Sequence, residues 1–410
     1  MKVSGIVCEY NPFHNGHLYH ISETRRCGAT HIAAVMSGSF VQRGDTAIMD
    51  KHRRARLAVK SGADLVIELP VQYCLSPAES FASGAVWLLG NLCAVDELSF
   101  GSECGDTALL SQTLDIIQRT ADEKGDEIRR IMEKGYTYPK ALSSVIRGTD
   151  HRLADVMSTP NNTLAIEYMR ALRAFRFPMD TFTVTRKDSA HDGQPDTADR
   201  AADSRTGGRI ASAAYIREKL LSDSDIIYPE DFMPEHCARA VYDAADSGQT
   251  ADIRRLERVI LYKVRTSTPE EIARISDVGQ GLENRIYAAR MSSSLSELLE
   301  RVKTKRYTMA RIRRILLSLL IGITREDMTH LPPYGRILAF NDRGAEILAR
   351  AKGKARIPYG TSLAKLGQAN PAARRFAELE ERASDIYGLA LGSTASAQED
   401  LRARITIDLE

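Results

Sequence analysis

The stretch "VSGIVCEYNPFHNGHLYH", residues 3–20, decides how this chain begins to fold. Its first residues form a short apolar run that predicts a strand at 3–7, and helical spacing of apolar residues begins near His17. The Asn11-Pro12 turn between them lies just beyond the carboxyl end of the strand, where open α/β sheets bind ligands. The stretch therefore predicts a strand, a turn and a helix with a ligand site at the turn.

The same order of strand and helix continues along the chain. Further strands are predicted at 31–36, 64–69, 96–101 and 179–186, and helices at 17–27, 50–61, 77–92 and 106–134. Such alternation is typical of a parallel sheet with helices on both faces. The basic residues of the second helix, Lys51, Arg53, Arg54 and Arg56, are expected to form a solvated face.

The second half of the chain has a different pattern. Residues 187–209 are rich in Asp, Ala, Ser and Gly and predict a long loop. Helical patterning returns at 210–221 and dominates from about Pro234 onward. We therefore predict an α/β, Rossmann-like parallel-sheet domain at 1–225, followed by a mainly α-helical C-terminal domain at 226–410.

Composition places the chain among ordinary globular proteins. It has 410 residues, 43% of them hydrophobic and 27% charged, with a formal net charge of +2. No apolar run approaches membrane-spanning length, and the first residues turn polar too soon for a signal peptide. The six cysteines show no CxxC spacing, which favours reduced thiols over disulfides or a zinc site. A cytoplasmic protein with no membrane partner is expected, and its oligomeric state is left open.

His14, His17 and His20 recur at intervals of three in the opening stretch. At the start of a helix, backbone N–H groups favour a phosphate, and two imidazoles can donate hydrogen bonds as its charge builds up. The alternative is a pair of surface histidines on a capped helix, and His20 is more typical of a packing residue. A zinc site with Glu9 as fourth ligand is rejected because the spacing is unsuitable, so no protein metal ligand is predicted.

The His-x-Gly-His arrangement resembles the signature of the nucleotidyltransferase superfamily, whose members attack the α-phosphate of ATP and expel pyrophosphate. Longer blocks narrow the resemblance to the bacterial tRNA(Met) cytidine acetate ligases. The blocks that resemble this family are "VCEYNPFHNGHLYH" (7–20), "VMSGSFVQRGDTAIMDKHRRARLAVKSGADLVIELP" (35–70), "SFGSE" (99–103), "TPNNTLAIEYMRAL" (159–172), "IASAAYIRE" (210–218), "GLENRI" (281–286), "TKRYTMARIRRILLSLLIGI" (304–323) and "PPYGRILAF" (332–340).

The resemblance implies an enzyme that makes acetyl-adenylate from ATP and acetate. It would then acetylate N4 of the wobble cytidine of elongator tRNA(Met), with His14 and His17 as the catalytic residues. The residues implied in ATP binding are Val7, Cys8, Glu9, Tyr10, Asn11, Pro12, Phe13, His14, Asn15, Gly16, His17, Leu18, Tyr19, His20, Gly101, Asn161, Asn162, Arg186, Ser212 and Arg217. Mg²⁺ is expected to accompany the triphosphate, because it binds phosphates and water with few protein ligands.

Several of these residues also have ordinary structural explanations. Asn161 and Asn162 follow a proline and could cap a helix, and the resemblance does not say which of them contacts ATP. Arg186 could be a plain exposed residue. Arg43 follows the second strand on the ligand side of the sheet, but it could also be an ordinary basic residue after a surface turn. Tyr215 departs from the superfamily, which more often has Ser or Thr there, and this puts the usual hydroxyl contact to the phosphates in doubt.

A basic segment near the C-terminal end suggests the RNA partner. Residues 301–316 contain seven Lys or Arg and no acidic residue. The residues predicted to bind tRNA are Lys303, Lys305, Arg306, Arg311, Arg313 and Arg314, with Tyr307 among them for a stacked base. The alternative is a basic helix that faces solvent.

Two other functions are compatible with the sequence. One is a nucleotidyltransferase that adenylylates a small metabolite and has no RNA partner, although such an enzyme would need neither the basic segment nor the long helical half. The other is an RNA-binding protein with a vestigial nucleotide site. An acetate ion is already anionic near neutral pH, so the ligase chemistry requires no general base, and no Ser-His or Asp-His pair stands out.

Overall fold

Short apolar runs at regular spacing become the strands of one central sheet. The computed structural model describes residues 1–186, 209–221, 229–403 and 405–408, so the predicted loop at 187–209 lies, except for Arg209, outside the described residues. The strands in the described ranges are β1 Val3–Cys8, β2 His31–Ser37, β3 Phe40–Val41, β4 Asp45–Thr46, β5 Leu65–Leu69, β6 Glu97–Ser102, β7 Asp180–Thr185, β8 Gly335–Asn341, β9 Tyr359–Gly360 and β10 Thr406–Asp408. The five predicted strands correspond to β1, β2, β5, β6 and β7.

The main sheet has the order β10-β8-β5-β2-β1-β6-β7, with β9 also paired to β8. The five neighbouring strands β5, β2, β1, β6 and β7 all run parallel to one another. Within them, Ser4 of β1 lies between Ile32 of β2 and Glu97 of β6. Because β1 is central and its neighbours run in the same direction, the residues that follow these strands meet at one edge of the sheet. The predicted fold class is confirmed.

The C-terminal part of the chain adds strands that local sequence patterns did not indicate. β8 pairs antiparallel with β5, with Ile67 opposite Ile337, and β9 and β10 pair parallel with β8. The segment "GRILAFN" (335–341) follows a long helical region, and its partner strand β5 is distant in sequence. The local spacing of apolar residues therefore gave no indication of this strand. The boundary near residue 225 stays a prediction, since strands from both sides of it share this sheet.

Helices connect and cover the strands. Those in the described ranges are α1 Asn15–Arg26, α2 Lys51–Lys60, α3 Val71–Cys74, α4 Ala78–Asn91, α5 Thr107–Glu123, α6 Gly125–Glu133, α7 Tyr138–Arg147, α8 His151–Val156, α9 Pro160–Phe175, α10 Ala213–Leu220, α11 Glu235–Asp246, α12 Glu257–Thr266, α13 Pro269–Ala273, α14 Leu282–Ala288, α15 Leu295–Val302, α16 Met309–Ile321, α17 Asp342–Ala351, α18 Leu363–Leu366, α19 Pro371–Gly388 and α20 Glu399–Arg402. The single helix predicted at 106–134 is two helices, because the backbone of Lys124 leaves the helical region with φ −120°.

Alternation along the strands divides the core between the two faces of the sheet. On β2, Ala33 and Val35 pack into a cluster with α4 and α9, whereas Ile32 and Met36 pack into another with α1, α2 and α11. A third apolar cluster joins α12–α16 to α19. Among the described residues, no helix is long and apolar enough to cross a membrane.

A buried ionic cluster connects the two halves of the chain beside β5 and β8. Lys51 Nζ, on a side chain only 3% exposed, lies 2.5 Å from Glu68 Oε1, 2.9 Å from Glu380 Oε1 and 2.8 Å from Asp400 Oδ2. Arg336 contacts Glu68 at 3.1 Å and Asp400 at 2.7 Å. Three carboxyl groups thus face two permanent cations. Burial and the neighbouring Glu68 carboxylate raise the pKa of Glu380, so that a proton relieves the excess negative charge.

The α2 helix does not form the solvated face that its charges suggested. Lys51 and Arg54 are buried. The Arg54 guanidinium donates to the carbonyl oxygens of Glu9, Met49 and Gly38, where backbone groups leave the strands. The expectation of a solvated face is wrong for these two residues, because most of the carboxylates and carbonyls that accept from them come from segments distant in sequence.

Candidate active site

A cavity of about 540 Å³ opens above the carboxyl ends of β1, β6 and β7. Its wall comes from the residues that follow β1, the first turns of α1 and α9, the end of β6, and the segment before α10. These are the places where parallel strands and helix N-termini direct backbone groups toward a ligand. The volume and the mixed polar and apolar wall suit a nucleotide.

The first turn of α1 fixes the hydrogen-bonding state of His14 and His17. His14 is the N-cap of the helix, and its Nδ1 accepts from Gly16 N at 3.0 Å. His17 Nδ1 accepts from His14 N at 3.2 Å, which completes a capping box. Since an acceptor nitrogen carries no hydrogen, each neutral ring bears its proton on Nε2. Neither Nε2 has a hydrogen-bond partner among the described residues, so both N–H groups are available to a ligand.

The two rings are stacked and electrically neutral at neutral pH. Their centroids lie 3.7 Å apart, and the edge of His17 also meets the ring of Tyr10 at 4.9 Å. Burial, aided by the nearby Arg186 and Arg217, lowers the pKa of His14 to about 3. Burial and His14 itself lower the pKa of His17 well below its usual value. The pair therefore enters any reaction as two neutral N–H donors.

His20 is also buried, one turn further along α1. Its Nε2 lies 2.9 Å from Ser99 Oγ, and burial together with Arg186 lowers its pKa to about 4. His20 lines the cavity, but this contact ties the helix to β6. Both the packing role and the ATP-binding role expected for His20 stay predictions.

The two asparagines at the start of α9 have different surroundings. Asn162 is buried, and its Oδ1 accepts from Glu103 N at 2.9 Å and Cys104 N at 3.1 Å, which holds the loop after β6. Asn161 lines the cavity, donates to Glu103 Oε1 at 2.7 Å and accepts from Arg186 Nη1 at 3.2 Å. Asn161 is thus the one placed to touch a ligand, beside Arg186.

The segment around α10 gives Ser212 and Arg217 separate positions. Ser212 is the N-cap of α10, lines the cavity and accepts from Tyr215 N at 3.2 Å. Arg217 Nη1 donates to Asn11 O at 2.7 Å, and its side chain borders a neighbouring recess with Asp45 and Arg313. The Tyr215 ring packs against Phe232, with centroids 6.0 Å apart. Tyr215 itself does not line the cavity, whereas the residue Ser212 does, so the presence of tyrosine at 215 does not remove Ser212 from the cavity wall.

The structure brings most of the residues implied in ATP binding to the cavity wall. Those that line it are Val7, Cys8, Glu9, Tyr10, Asn11, His14, Gly16, His17, Tyr19, His20, Gly101, Asn161, Arg186 and Ser212, whereas Pro12, Phe13, Asn15, Leu18, Asn162 and Arg217 do not. Phe13 packs on Tyr10 at 4.8 Å, and Asn15 donates to Arg209 O at 2.9 Å. Their contribution is to shape the turn, and the roles of the lining residues toward ATP stay predictions.

Part of the cavity wall was not predicted as a ligand site. Phe81, Phe100 and Tyr168 form an apolar side that sequence spacing could only read as core. Gln42 and Arg43, in the hairpin of β3 and β4, line the opposite side, and Glu9 Oε1 accepts from Gln42 N at 2.8 Å. Of these residues, Arg43 was placed on the ligand side of the sheet by its position just after the second strand, and it lines the cavity. Among the described residues, no group of three or more His, Cys, Asp or Glu side chains is placed to hold a metal ion.

The predicted tRNA-binding residues fall into two groups. Lys303, Lys305 and Arg306 are exposed. Arg311 and Arg314 on α16 both contact Asp277. Arg314 also lines the cavity, and Arg313 borders the neighbouring recess. Tyr307 is buried, with its hydroxyl bonded to Gln280 O at 3.1 Å, so the expectation of a base stacked on Tyr307 is wrong in this structure.

Comparison with known proteins places this geometry in context. The family model described as "HIGH Nucleotidyl Transferase" matches residues 1–402. The chain is 35% identical over 415 residues to a tRNA(Met) cytidine acetate ligase of Alkaliphilus metalliredigens, covering 96% of each chain. It is 37% identical over 407 residues to that of Caldanaerobacter subterraneus, covering 98% of each chain.

Solved structures agree over the whole chain. A crystal structure of Thermotoga maritima TmcAL bound with alpha-thio ATP superposes with a TM-score of 0.89 at 28% identity, covering 100% of both chains. The apo form of the same protein gives a TM-score of 0.90 at 28% identity, again with 100% coverage. The similarity is therefore not confined to the sheet but extends through the helical region.

Proposed function

Because this chain belongs to the HIGH nucleotidyltransferase family, among the tRNA(Met) cytidine acetate ligases, we propose that it uses ATP and acetate to acetylate elongator tRNA(Met) at N4 of the wobble cytidine. The observation that carries the proposal is the pair of cavity-facing histidines, His14 and His17, whose Nε2–H donors are fixed by backbone hydrogen bonds at the start of α1. The reaction has two steps, and each uses a different part of the cavity.

In the first step, an acetate oxygen attacks the α-phosphorus of ATP. A new P–O bond forms, the bond to the β-phosphate breaks, and pyrophosphate leaves with its electron pair, so that acetyl-adenylate is the product. His14 and His17 donate their Nε2–H groups to the α-phosphoryl oxygens, whose charge grows in the transition state. Neutral rings suit this task, because each ring already carries its Nε2 proton and does not have to take up another proton from solvent before it can donate.

The adenosine of ATP is assigned to the side of the cavity formed by β6 and α9. Gly101 at the end of β6 leaves room for a ligand near the backbone, and Asn161 with Arg186 supplies an amide and a guanidinium beside it. Ser212, at the start of α10, is placed for the β- and γ-phosphates. Arg217 supports this side by holding the backbone of Asn11, which leads into the histidine turn.

Mg²⁺ is proposed to arrive with ATP. The described residues contain no cluster of acidic ligands for the ion, and we propose triphosphate oxygens and water as its ligands. When bound, the ion would neutralise charge on the β- and γ-phosphates. The residues of this chain then have the separate task of orienting the α-phosphate.

In the second step, the cytidine N4 amine attacks the acetyl carbonyl carbon. The carbon–oxygen bond to AMP breaks, AMP leaves as an anion, and the proton lost from N4 passes to solvent. Lys303, Lys305 and Arg306 are proposed to bind the tRNA backbone, because they are exposed cations near the start of α16, whose residue Arg314 reaches the cavity wall. A tRNA substrate fits the cytoplasmic location that we propose for the enzyme.

The test is incorporation of labelled acetate into purified tRNA, with and without ATP. We expect ATP-dependent label on elongator tRNA(Met), and we expect His14→Ala and His17→Ala to lower acetyl-adenylate formation about a hundredfold or more each while the fold persists. Pyrophosphate release at the wild-type rate in both variants would contradict the assignment of the histidines. Absence of label, with pyrophosphate released in the presence of another small acceptor, would instead favour an adenylyltransferase of metabolites.

A further inference from the structure

Two arginines, Arg43 and Arg314, line the cavity on the side of β2, away from Arg186. In the described part of the cavity wall, the guanidinium groups are those of Arg43, Arg186 and Arg314. Arg186 follows β7, whereas Arg43 lies in the hairpin that follows β2, and β1 with its histidine turn lies between these strands. Once Arg186 is assigned to the nucleotide, two cations are left on the side of β2.

The structure holds Arg314 in place but leaves much of its hydrogen-bonding capacity open. Its side chain is 12% exposed. Nη1 donates to Gln42 O at 3.1 Å and Nη2 to Asp277 Oδ2 at 3.4 Å, which uses two of the five N–H groups of a guanidinium. Its Nε is buried without a partner among the described residues. A fixed, largely buried cation with unused donors at a cavity wall is suited to a small anion.

The hairpin and α16 are locked together where these arginines arise. Gly44 has φ +71°, and a Cβ there would lie 2.6 Å from the backbone nitrogen of Arg314. The hairpin backbone therefore touches the helix backbone, and only glycine fits the contact. Gln42 completes the connection, because its N–H donates to Glu9 Oε1 while its carbonyl accepts from Arg314. The positions of Arg43 and Arg314 relative to β1 are thus set by backbone contacts.

We propose that Arg43 and Arg314 form the binding site for the carboxylate that attacks ATP. The inference rests on the proposed function, which requires an acetate ion to approach an α-phosphate that is itself negatively charged. The attacking carboxylate oxygen and the α-phosphorus must come within about 3–3.5 Å of each other, although both groups carry negative charge. A cation other than those bound to the triphosphate therefore has to neutralise the charge of the carboxylate. Arg314 is therefore assigned to the carboxylate rather than to the tRNA surface predicted from sequence.

The experiment measures acetyl-adenylate in the absence of tRNA, trapped as acetohydroxamate by hydroxylamine, with acetate and ATP varied separately. Wild-type product with acetate and ATP is the first requirement, and its absence would refute the proposed function rather than this site. We expect Arg314→Gln to raise the KM for acetate about tenfold to a hundredfold and Arg43→Gln about threefold to tenfold, with the KM for ATP within about twofold of wild type. Arg314→Lys should recover part of the loss.

The matched control is Arg325→Gln. Arg325 donates to Val278 O at 2.9 Å and so supports the same loop as Asp277, but it does not line the cavity. An acetate KM that rises equally in this control would overturn the proposal, because the effect would then be structural. A parallel rise in the KM for ATP in Arg314→Gln and Arg43→Gln would assign the arginines to the triphosphate. An unchanged KM for acetate in both Arg314→Gln and Arg43→Gln, with or without weaker tRNA binding in a separate filter-binding assay, would likewise overturn the carboxylate site.

Discussion

Replacement of Lys51 by Met should destabilise the protein strongly and in a pH-dependent way. Lys51 contacts three buried carboxyl groups at 2.5–2.9 Å, and its removal leaves Arg336 as the remaining permanent cation in the cluster. Loss of one partner from a buried ionic cluster costs about 3–5 kcal/mol, because the other partners stay buried without compensation. That is a large share of the total of about 5–15 kcal/mol typical of folded proteins.

The pH dependence follows from the carboxyl groups that Lys51→Met leaves behind. Without Lys51, the pKa of Glu380, which burial and Glu68 already raise, rises further above its unfolded value. The pKa of Glu68, which Lys51 and Arg336 hold below its usual value against the effect of burial, rises as well when Lys51 is lost. A folded pKa above the unfolded one means that stability is greatest at low pH and is lost as pH rises toward the folded pKa. The deficit relative to wild type should therefore grow by about 1.4 kcal/mol per pH unit for each extra proton held in the folded state.

Urea unfolding at about pH 5.5 and about pH 8 measures this deficit directly. The matched control is Lys60→Met on the same helix, where the side chain is exposed and the expected change is below about 0.5 kcal/mol. A deficit in Lys51→Met below about 1 kcal/mol, or one that is equal at both pH values, would refute the account of a proton-holding ionic cluster.

Three further changes test other parts of the structure. Gly44→Ala should lower the free energy of unfolding by about 2 kcal/mol, because the new Cβ would meet the backbone of Arg314. The control is Gly28→Ala, which is also at positive φ but has open space around it and should cost only about 1 kcal/mol; urea unfolding measures both. His20→Gln should remove part of the stability loss between pH 6.5 and 4, since a buried histidine with a pKa of about 4 resists the proton that the unfolded chain accepts, and equal pH profiles in wild type and variant would contradict this. Charge reversal at Lys305 and Arg306 should weaken tRNA binding about tenfold or more and reduce its salt dependence, while leaving acetyl-adenylate formation unchanged in filter-binding and trapping assays.

Local patterns in the sequence were enough to predict the first layer of the fold. β1, β2, β5 and β6 are short apolar runs that alternate with amphipathic helices, and each connection is close in sequence. The histidine turn was also predictable, because strand, turn and helix are consecutive. β8 was not, because its partner β5 lies about 270 residues earlier and nothing in a local window indicates an antiparallel return.

The charged residues show the same limit. The sequence predicted a solvated face for Lys51 and Arg54, because most of the groups that bury them come from β2, β5, α19, α20 and the residue after β1. Arg314 sits in a run of basic residues that suggested RNA binding, and only tertiary contact with the hairpin shows that it lines the cavity. Charge runs in sequence give the number of cations, whereas their burial depends on distant carboxylates and carbonyls.

The antiparallel strand β8 and most members of the ionic cluster come from the C-terminal part of the chain, so the sheet and the cluster can be completed only late in synthesis. While the ribosome is still making the C-terminal third, β5 is an open sheet edge, and Lys51 lies next to Glu68 without Arg336, Glu380 or Asp400. An open edge of this kind readily pairs with other chains. The edge of β5 therefore stays unpaired until β8 has been made, and we expect chaperones to bind the nascent protein there before that point.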